Sequence, residues 1–181
     1  MIIMITSLLI SIQMLINNDQ AYLTQFNKDD PKWHVVNDRV MGGLSTSEIT
    51  QENGIAIFKG KVSLENNGGF ASVRMPVERE IKGDFKNVIL RIKGDGKSYQ
   101  FRIRKSREFD GLAYDYKFAS KDNEWLEIKI PLNQMQGTYR GNEYPDKVGV
   151  GSHEIKQIGF LISEKQEGDF CMKIDFIALA R

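Results

Sequence analysis

The sequence contains very few of the residues from which disulfides and metal sites are built. Its 181 residues include one cysteine, Cys171, and two histidines, His34 and His153. A single cysteine excludes a disulfide within the chain and a cysteine-based zinc cluster. Two histidines leave few ways to build a histidine-rich metal or catalytic site. We therefore expect neither a metal nor a cofactor.

Known catalytic signatures are lacking as well. The sequence has no G-x-S-x-G elbow, no Walker loop and no H-E-x-x-H pair. Gly42-Gly43 lacks the Lys-Ser/Thr pair that a phosphate-binding loop requires. Cys171 lies in an alternating segment, where an inert, partly buried thiol is the usual state. The carboxylates show no spacing that favours a glycosidase pair over solvated strand residues. We therefore predict a non-enzymatic protein with no catalytic residue.

The sequence also lacks an excess of either charge. It has 25 Lys and Arg residues against 24 Asp and Glu residues, for a formal net charge of +1. This balance excludes a uniformly basic nucleic-acid-binding protein. The basic residues are nevertheless concentrated, because residues 86–107 contain eight Lys or Arg and one acid, Asp95.

Three of these basic residues are predicted to cluster. Arg91, Arg102 and Arg104 lie on the polar faces of two predicted strands, and they would form one basic face if those strands pair as a meander. The face has two interpretations. It is either solvated and neutralised by Asp115 and Glu127, or it is a surface for an anionic partner.

A sustained helical period is absent, and short segments instead alternate between apolar and polar residues. The clearest are residues 88–92, 101–103, 114–118 and 126–130, and Gly- and Asp-containing turn signals separate them. Further strands are predicted at 33–37, 54–64, 69–75, 155–163 and 169–179. Alternation indicates antiparallel sheets with one face in water, so we predict an all-β fold, a two-sheet β-sandwich.

One long apolar run precedes this pattern. Residues 1–16 carry no charge and consist mostly of Ile, Leu and Met. The run suits a signal-peptide core, but no Lys or Arg precedes it and no small-residue cleavage site follows it. A signal or anchor would make the protein secreted, periplasmic or membrane-anchored; an upstream start or a packed apolar strand would leave it cytoplasmic. The polar composition of residues 17–32 predicts a linker. Residues 33–181 are predicted to form the sandwich domain.

Three segments of the chain resemble a known family. Residues 33–45, WHVVNDRVMGGLS, resemble the W-x-x-V-N-D-x-V-M-G-G-x-S signature of the NADH:ubiquinone oxidoreductase (complex I) intermediate-associated protein 30 family. Residues 125–131, WLEIKIP, with the later Thr138-Tyr139-Arg140-Gly141, are similar to its W-x-x-V-x-I-P run and aromatic-Arg-Gly turn. Residues 158–162, 168–170 and 174–177 resemble its I-G-F strand and its closing G-x-F…I-D-x-I strand.

The resemblance spans about residues 26–180 and carries expectations about fold and function. It implies a jelly-roll sandwich of the galactose-binding-domain-like type, in agreement with the alternation. It also implies an assembly factor, a chaperone-like scaffold for membrane-complex intermediates that is best known for mitochondrial respiratory complex I. The partner would then be a protein or an assembly intermediate. Since residues 1–16 do not resemble an arginine-rich mitochondrial transit peptide, a bacterial protein assisting an envelope or membrane complex is one interpretation.

The signature segment has a structural interpretation. Asn37 and Asp38 can hydrogen-bond the backbone around a turn, and Gly42 and Gly43 allow a positive φ or a close backbone approach. These properties suit a stiff corner that joins two strands.

The same segment also has a functional interpretation, a recognition loop that presents Met41 and Leu44 to a partner. Tyr139 and Arg140 also have a structural and a functional interpretation. Arg140 either braces the end of the sandwich through carbonyls or carboxylates, or exposes a fork for a carboxylate or phosphate of a partner.

Two further functions remain alternatives. Jelly-roll sandwiches often bind sugars, and Tyr114, Tyr139 and Tyr144 are the aromatic candidates if this chain is a carbohydrate-binding module. The basic strands could instead bind nucleic acid, which the near-neutral total charge disfavours.

Overall fold

The alternating segments form strands in the computed structural model of the protein, which describes residues 20–27 and 30–181. The strands in these residues are β1 (Gln20–Thr24), β2 (His34–Val35), β3 (Thr46–Glu52), β4 (Ile55–Val62), β5 (Ala71–Pro76), β6 (Asn87–Lys93), β7 (Ser98–Arg104), β8 (Ala113–Ala119), β9 (Trp125–Pro131), β10 (Gln136–Tyr139), β11 (Asn142–Val148), β12 (Gln157–Ile162) and β13 (Gly168–Ala180). Nine of them fall on the predicted alternating segments, and β1, β3, β10 and β11 do not.

The strands form two antiparallel sheets, as the alternation predicts. One sheet has the order β3-β4-β13-β6-β9, with β1 also paired to β13, and the other has the order β11-β10-β8-β7-β12-β5-β2. Side chains from both sheets join in one buried cluster, so the sheets pack face to face. The predicted all-β sandwich is therefore confirmed.

Aromatic residues fill the space between the sheets. Phe58 and Phe170 of the six-stranded sheet lie 4.9 Å apart between ring centroids, and Phe101 and Phe160 of the seven-stranded sheet lie 5.4 Å apart. Tyr99 reaches across to Phe170 at 6.5 Å. All five side chains are buried, and each contributes roughly 1.5–3 kcal/mol of burial free energy on an upper-bound reference state.

Part of the segment predicted as a linker belongs to the sandwich. β1 pairs with the end of β13, and Leu23 and Phe26 are buried in the core. Thr24 and Asp30 are joined by a hydrogen bond of 2.6 Å. The polar composition of residues 17–32 conceals this short strand, because few apolar side chains anchor it. The apolar run 1–16 lies outside the described residues.

The predicted meander of β6 and β7 is wrong. β6 pairs with β13 and β9 in the six-stranded sheet, whereas β7 pairs with β12 and β8 in the seven-stranded sheet. Residues 94–97 therefore cross from one sheet to the other instead of closing a hairpin. Alternation specifies which side chains point inward but not which strand is the neighbour.

The helices of the described residues are short 3₁₀ segments: Asp38–Met41, Glu65–Asn67, Leu132–Gln134 and Ser152–Glu154. Within residues 20–27 and 30–181, none is long and apolar enough to cross a membrane.

Candidate functional site

The signature segment folds around the buried carboxylate of Asp38. Its Oδ1 accepts a hydrogen bond from the Ser45 N–H at 3.0 Å, and its Oδ2 accepts from the N–H groups of Gly69 at 2.8 Å and Phe70 at 3.2 Å. The Ser45 hydroxyl donates to the same Oδ2. Burial disfavours the charged form, but these hydrogen bonds outweigh it and hold the pKa of Asp38 below its ordinary value. Asp38 is thus an ionised structural group.

Asn37 makes a second bridge beside the first. Its Oδ1 accepts hydrogen bonds from the Ser47 hydroxyl at 2.8 Å and from the Ser72 N–H at 3.1 Å. Ser47 lies in β3 of the six-stranded sheet, and Ser72 lies in β5 of the seven-stranded sheet. Asn37 and Asp38 therefore tie the two sheets together at this end, which supports the structural interpretation of the motif as a stiff corner.

The two glycines of the signature have different reasons to be glycine. Gly42 ends the 3₁₀ helix with a left-handed φ of 91°. At Gly43 a Cβ would lie 2.4 Å from the carboxyl carbon of Asp38. Gly42 is required for its backbone conformation, and Gly43 is required because a larger side chain would not fit.

Several apolar side chains at this corner are instead exposed to water. Met41 is 66% exposed and Leu44 is 47% exposed, and Val35 and Phe109 are exposed as well. We call these four residues the motif rim. A groove of about 310 Å³ adjoins it, lined in part by Val35, Phe109 and residues 45–47 at the start of β3. Asn37 and Asp38 of the motif are therefore used by the fold, while Val35, Met41 and Leu44 of the motif are exposed and free to meet a partner.

Arg91 does not join the other predicted arginines. It lies on the outer face of the six-stranded sheet, where its Nη1 donates to Asp175 Oδ2 at 2.7 Å and its guanidinium lies 5.4 Å from the Trp125 ring centroid. Arg102 and Arg104 lie on the outer face of the other sheet. The proposed single basic face with all three is therefore not formed, because the two strands belong to different sheets.

Arg74 takes the place that Arg91 was predicted to hold. Gly159 in β12 is the register partner of Arg74 in β5 and of Arg102 in β7, so these arginines flank a residue with no side chain. Arg104 lies two residues further along β7, on the same side. We call Arg74, Arg102 and Arg104 the arginine face. Burial and the mutual repulsion of the guanidinium groups lower the pKa of Arg74 and bring that of Arg104 to about 10.

One carboxylate is bound within this face. Arg102 Nη2 donates to Asp115 Oδ2 at 2.9 Å, and the Thr138 hydroxyl donates to the same oxygen at 2.7 Å. Among the described residues, Arg102 Nε and Asp115 Oδ1 are buried without a hydrogen-bond partner. The predicted neutralising role of Asp115 thus applies to Arg102, while Glu127 lies in β9 of the six-stranded sheet, where it is the register partner of Arg91.

A loop covers the remaining guanidinium groups. Residues 105–112, which we call the latch loop, direct backbone carbonyls at the face: Arg74 Nη1 donates to Phe109 O at 2.7 Å, and Arg104 Nη1 donates to Gly111 O. Gln157 Nε2 donates to two further loop carbonyls, at 2.9 and 3.1 Å. The Arg74 guanidinium also stacks 4.5 Å from the Phe109 ring centroid.

Tyr139 and Arg140 hold the same loop from the other side. The Tyr139 hydroxyl donates to Asp110 Oδ2 at 3.0 Å, and Arg140 Nη2 donates to it at 2.7 Å. The hydrogen bond from Arg140, followed by that from Tyr139, lowers the pKa of Asp110. This geometry supports the bracing interpretation of Arg140 through a carboxylate, although its side chain remains 69% exposed.

Arg74 and the latch loop are the parts of this surface that sequence reasoning misses. Arg74 alternates with Val73 and Met75, so its outward direction was readable. The sequence does not show that Arg74 lies near Arg102, because this depends on the position of β12 between β5 and β7.

The tyrosines considered for sugar binding do not form one platform. Tyr114 is buried beneath Lys105, whose Nζ lies 4.5 Å from the ring centroid, and the Tyr139 hydroxyl is bound to Asp110. Tyr144 on β11 is exposed. No group of three or more His, Cys, Asp or Glu residues in the described part of the chain is arranged to hold a metal ion.

The two antiparallel sheets and their order define this chain as a jelly-roll sandwich of the galactose-binding-domain-like type. A solved structure with this fold is a family 11 carbohydrate-binding module from Clostridium thermocellum in complex with a β-1,3-1,4-mixed-linked tetrasaccharide. It matches with a TM-score of 0.62 and 18% identity, covering 90% of this chain and 95% of that one. At this identity the likeness concerns the fold alone.

A family model described as complex I intermediate-associated protein 30 matches residues 23–174. The chain belongs to this family, as the signature segment implies. It is 28% identical to "Complex I intermediate-associated protein 30, mitochondrial" of Mus musculus, over 93% of this chain and 58% of that protein. It is 23% identical to the "Probable complex I intermediate-associated protein 30, mitochondrial" of Caenorhabditis elegans, over 76% of this chain and 46% of that protein.

The chain thus spans about half the length of these curated relatives. Both relatives are named mitochondrial, which differs from the secreted, periplasmic, membrane-anchored and cytoplasmic settings inferred from residues 1–16.

Proposed function

We propose that this protein is a non-enzymatic assembly factor that binds an intermediate of respiratory complex I. Family membership supports the assembly role, because the matched relatives are named as proteins associated with an intermediate of complex I. In this proposal the protein acts as a chaperone-like scaffold that holds the intermediate without changing it chemically.

The motif rim is the surface we assign to partner contact. The observation that carries this assignment is the division within one short segment, where Asp38 is fully buried while Met41 is 66% exposed. Four hydrogen bonds to Asp38 fix the backbone that presents Met41 and Leu44. A fixed backbone loses little conformational entropy when its exposed apolar side chains are buried by a partner. The corner is therefore well suited to binding a protein surface.

The setting we propose is that of the respiratory membrane, which is mitochondrial for the matched relatives by name. Fractionation of the native cells, with detection of the protein alongside complex I subunits, tests this. Recovery only from a secreted or periplasmic fraction would contradict it.

The assembly role is tested by complementation of cells that lack the gene. Wild-type protein should restore mature complex I on native gels and should co-purify with subassemblies. The double variant Met41→Asp/Leu44→Asp should lose both, since it places two charges where the partner would bury apolar side chains. Val148→Asp on β11, where the side chain is 54% exposed, is the matched control and should behave as wild type.

If the Met41→Asp/Leu44→Asp variant folds stably and still restores complex I fully, the motif rim is not the partner-binding surface. Normal complex I in cells that lack the gene would remove the assembly role itself.

The other functions receive less support. The burial of Tyr114 and the hydrogen bond from Tyr139 to Asp110 weaken the carbohydrate alternative. The separation of Arg91 from Arg102 and Arg104 weakens nucleic-acid binding. Binding to a glycan array at micromolar affinity would reverse the first judgement.

A further inference from the structure

The outer face of the seven-stranded sheet contains positive charge that the described residues only partly neutralise. Of the three guanidinium groups of the arginine face, that of Arg102 is hydrogen-bonded to a carboxylate, Asp115, whereas those of Arg74 and Arg104 are hydrogen-bonded to the backbone oxygens of Phe109 and Gly111. The nearby carboxylate of Asp110 is hydrogen-bonded to Arg140 and Tyr139 instead. Arg74 and Arg104 thus donate to neutral backbone carbonyls.

A neutral carbonyl is a weak partner for a guanidinium group. Hydrogen bonds between ionised partners are shorter and roughly twice as strong as neutral ones, and a carboxylate can accept two parallel bonds from one arginine. A carboxylate offered from outside would therefore compete well with Phe109 O and Gly111 O for these donors.

The present occupant of the face is itself a piece of polypeptide, a loop without regular secondary structure. Four carbonyls of the latch loop accept hydrogen bonds from Arg74, Arg104 and Gln157. The loop carries an aromatic residue between two acids, in the order Glu108, Phe109, Asp110. Leu112, at the end of the loop, packs against the core, but residues 106–111 are attached to the face by polar contacts and by the stacking of Phe109 on Arg74. This part of the loop can therefore be exchanged for a similar segment without opening the core.

We propose that the arginine face binds the acidic side chains of an extended partner segment, and that the latch loop occupies this face as an internal substitute when no partner is bound. The partner segment has the chemistry of the loop, with aspartate or glutamate on either side of an aromatic residue. Displacement of the loop also moves Phe109, which belongs to the motif rim and lines the groove next to it, so binding at the arginine face alters the rim as well. The inference rests on the proposed function only in taking the partner to be a protein.

Binding of two synthetic peptides to the full chain tests the proposal. The probe is a fluorescein-labelled peptide of two Glu-Phe-Asp triplets, and its matched control has Gln-Phe-Asn triplets. Fluorescence anisotropy at low salt should give an affinity for the acidic peptide at least about tenfold higher than for the neutral one, with a decrease as salt is added.

Protein variants locate the binding. Arg74→Gln/Arg104→Gln should weaken binding of the acidic peptide about tenfold or more, while Arg91→Gln on the opposite sheet should leave it unchanged. Asp110→Ala removes the contacts to Tyr139 and Arg140 but leaves the arginine face intact, so it should strengthen binding. Thermal melts of each variant establish that it is folded.

Equal affinity for the acidic and neutral peptides would overturn the proposal, as would equal losses in Arg74→Gln/Arg104→Gln and Arg91→Gln. Displacement of the peptide by inorganic phosphate at an equal concentration would also overturn it, because the face would then be a site for free anions. Met41→Asp/Leu44→Asp should retain peptide binding, so a failure of the assembly role and a failure of this inference are distinguishable.

Discussion

The carboxylate of Asp38 occupies the space where a side chain at Gly43 would stand. A Cβ built at Gly43 lies 2.4 Å from the carboxyl carbon and 2.5 Å from Oδ1 of Asp38. The same carboxylate accepts hydrogen bonds from both sides of the sandwich end. The signature is thus a single packed unit, in which the glycine is required because the acid is present.

Gly43→Ala should destabilise the protein by about 2–3 kcal/mol, because the methyl group must displace a fully hydrogen-bonded carboxylate. Urea denaturation at neutral pH measures this change. Leu44→Ala, one residue away and exposed, is the control and should change the free energy of unfolding by less than about 0.5 kcal/mol. An equal effect of the two variants would contradict the packing argument.

Asp38 should make the protein sensitive to acid. Because the folded state lowers the pKa of Asp38, its contribution is complete above the unfolded pKa of about 3.9 and is lost as pH falls through the lower folded value. The free energy of unfolding should therefore decrease with acidification below about pH 4.

Asp38→Asn tests this contribution directly. The variant should be about 2–3 kcal/mol less stable at pH 7, since an amide cannot satisfy all the donors, and its stability should change less below pH 4. Denaturation curves at pH 7, 4 and 3 provide the comparison. Asp146→Asn, on the exposed strand β11, is the control; a wild-type acid response in Asp38→Asn would exclude Asp38 as its source.

Two phenylalanines distinguish core from surface. Phe160→Ala should cost about 3–5 kcal/mol, because Phe160 is fully buried and its ring packs against Trp33 and Phe101. Phe109→Ala should change the stability by less than about 0.5 kcal/mol, because Phe109 is an exposed loop residue. Thermal unfolding measures both; a larger loss at Phe109 would mean that the latch loop is part of the core.

The latch loop should open when its polar contacts are removed. Arg107 lies exposed in this loop and is a trypsin site. Asp110→Ala should increase the initial rate of cleavage after Arg107 several-fold, because the loop loses its bonds to Tyr139 and Arg140. Mass spectrometry of short digests identifies the cut, and cleavage after Lys147 on β11 serves as an internal reference. An unchanged rate would show that these two contacts do not hold the loop.

Two of the strands that sequence reasoning overlooks, β3 and β11, share one property. β3 reads TSEITQE, with a single apolar residue, and β11 reads NEYPDKV, with a proline and all seven residues exposed. Both are edge strands, where few side chains enter the core and the period of two is weak. The central strands β5 and β7, in contrast, alternate strictly between buried and partly exposed residues.

The period of two in the sequence is enough to predict an antiparallel sandwich, because the inward and outward directions of the side chains follow from it. The roles of Asn, Asp and Gly in turns make a stiff corner one of the two interpretations of the signature segment. Which residues of different strands meet follows from the strand order, which is known from the three-dimensional structure. Alternation assigns Arg91, Arg102, Arg104 and Arg74 to outer faces but contains no information on strand order. The crossing between β6 and β7 therefore removed Arg91 from the cluster, and the position of β12 brought in Arg74.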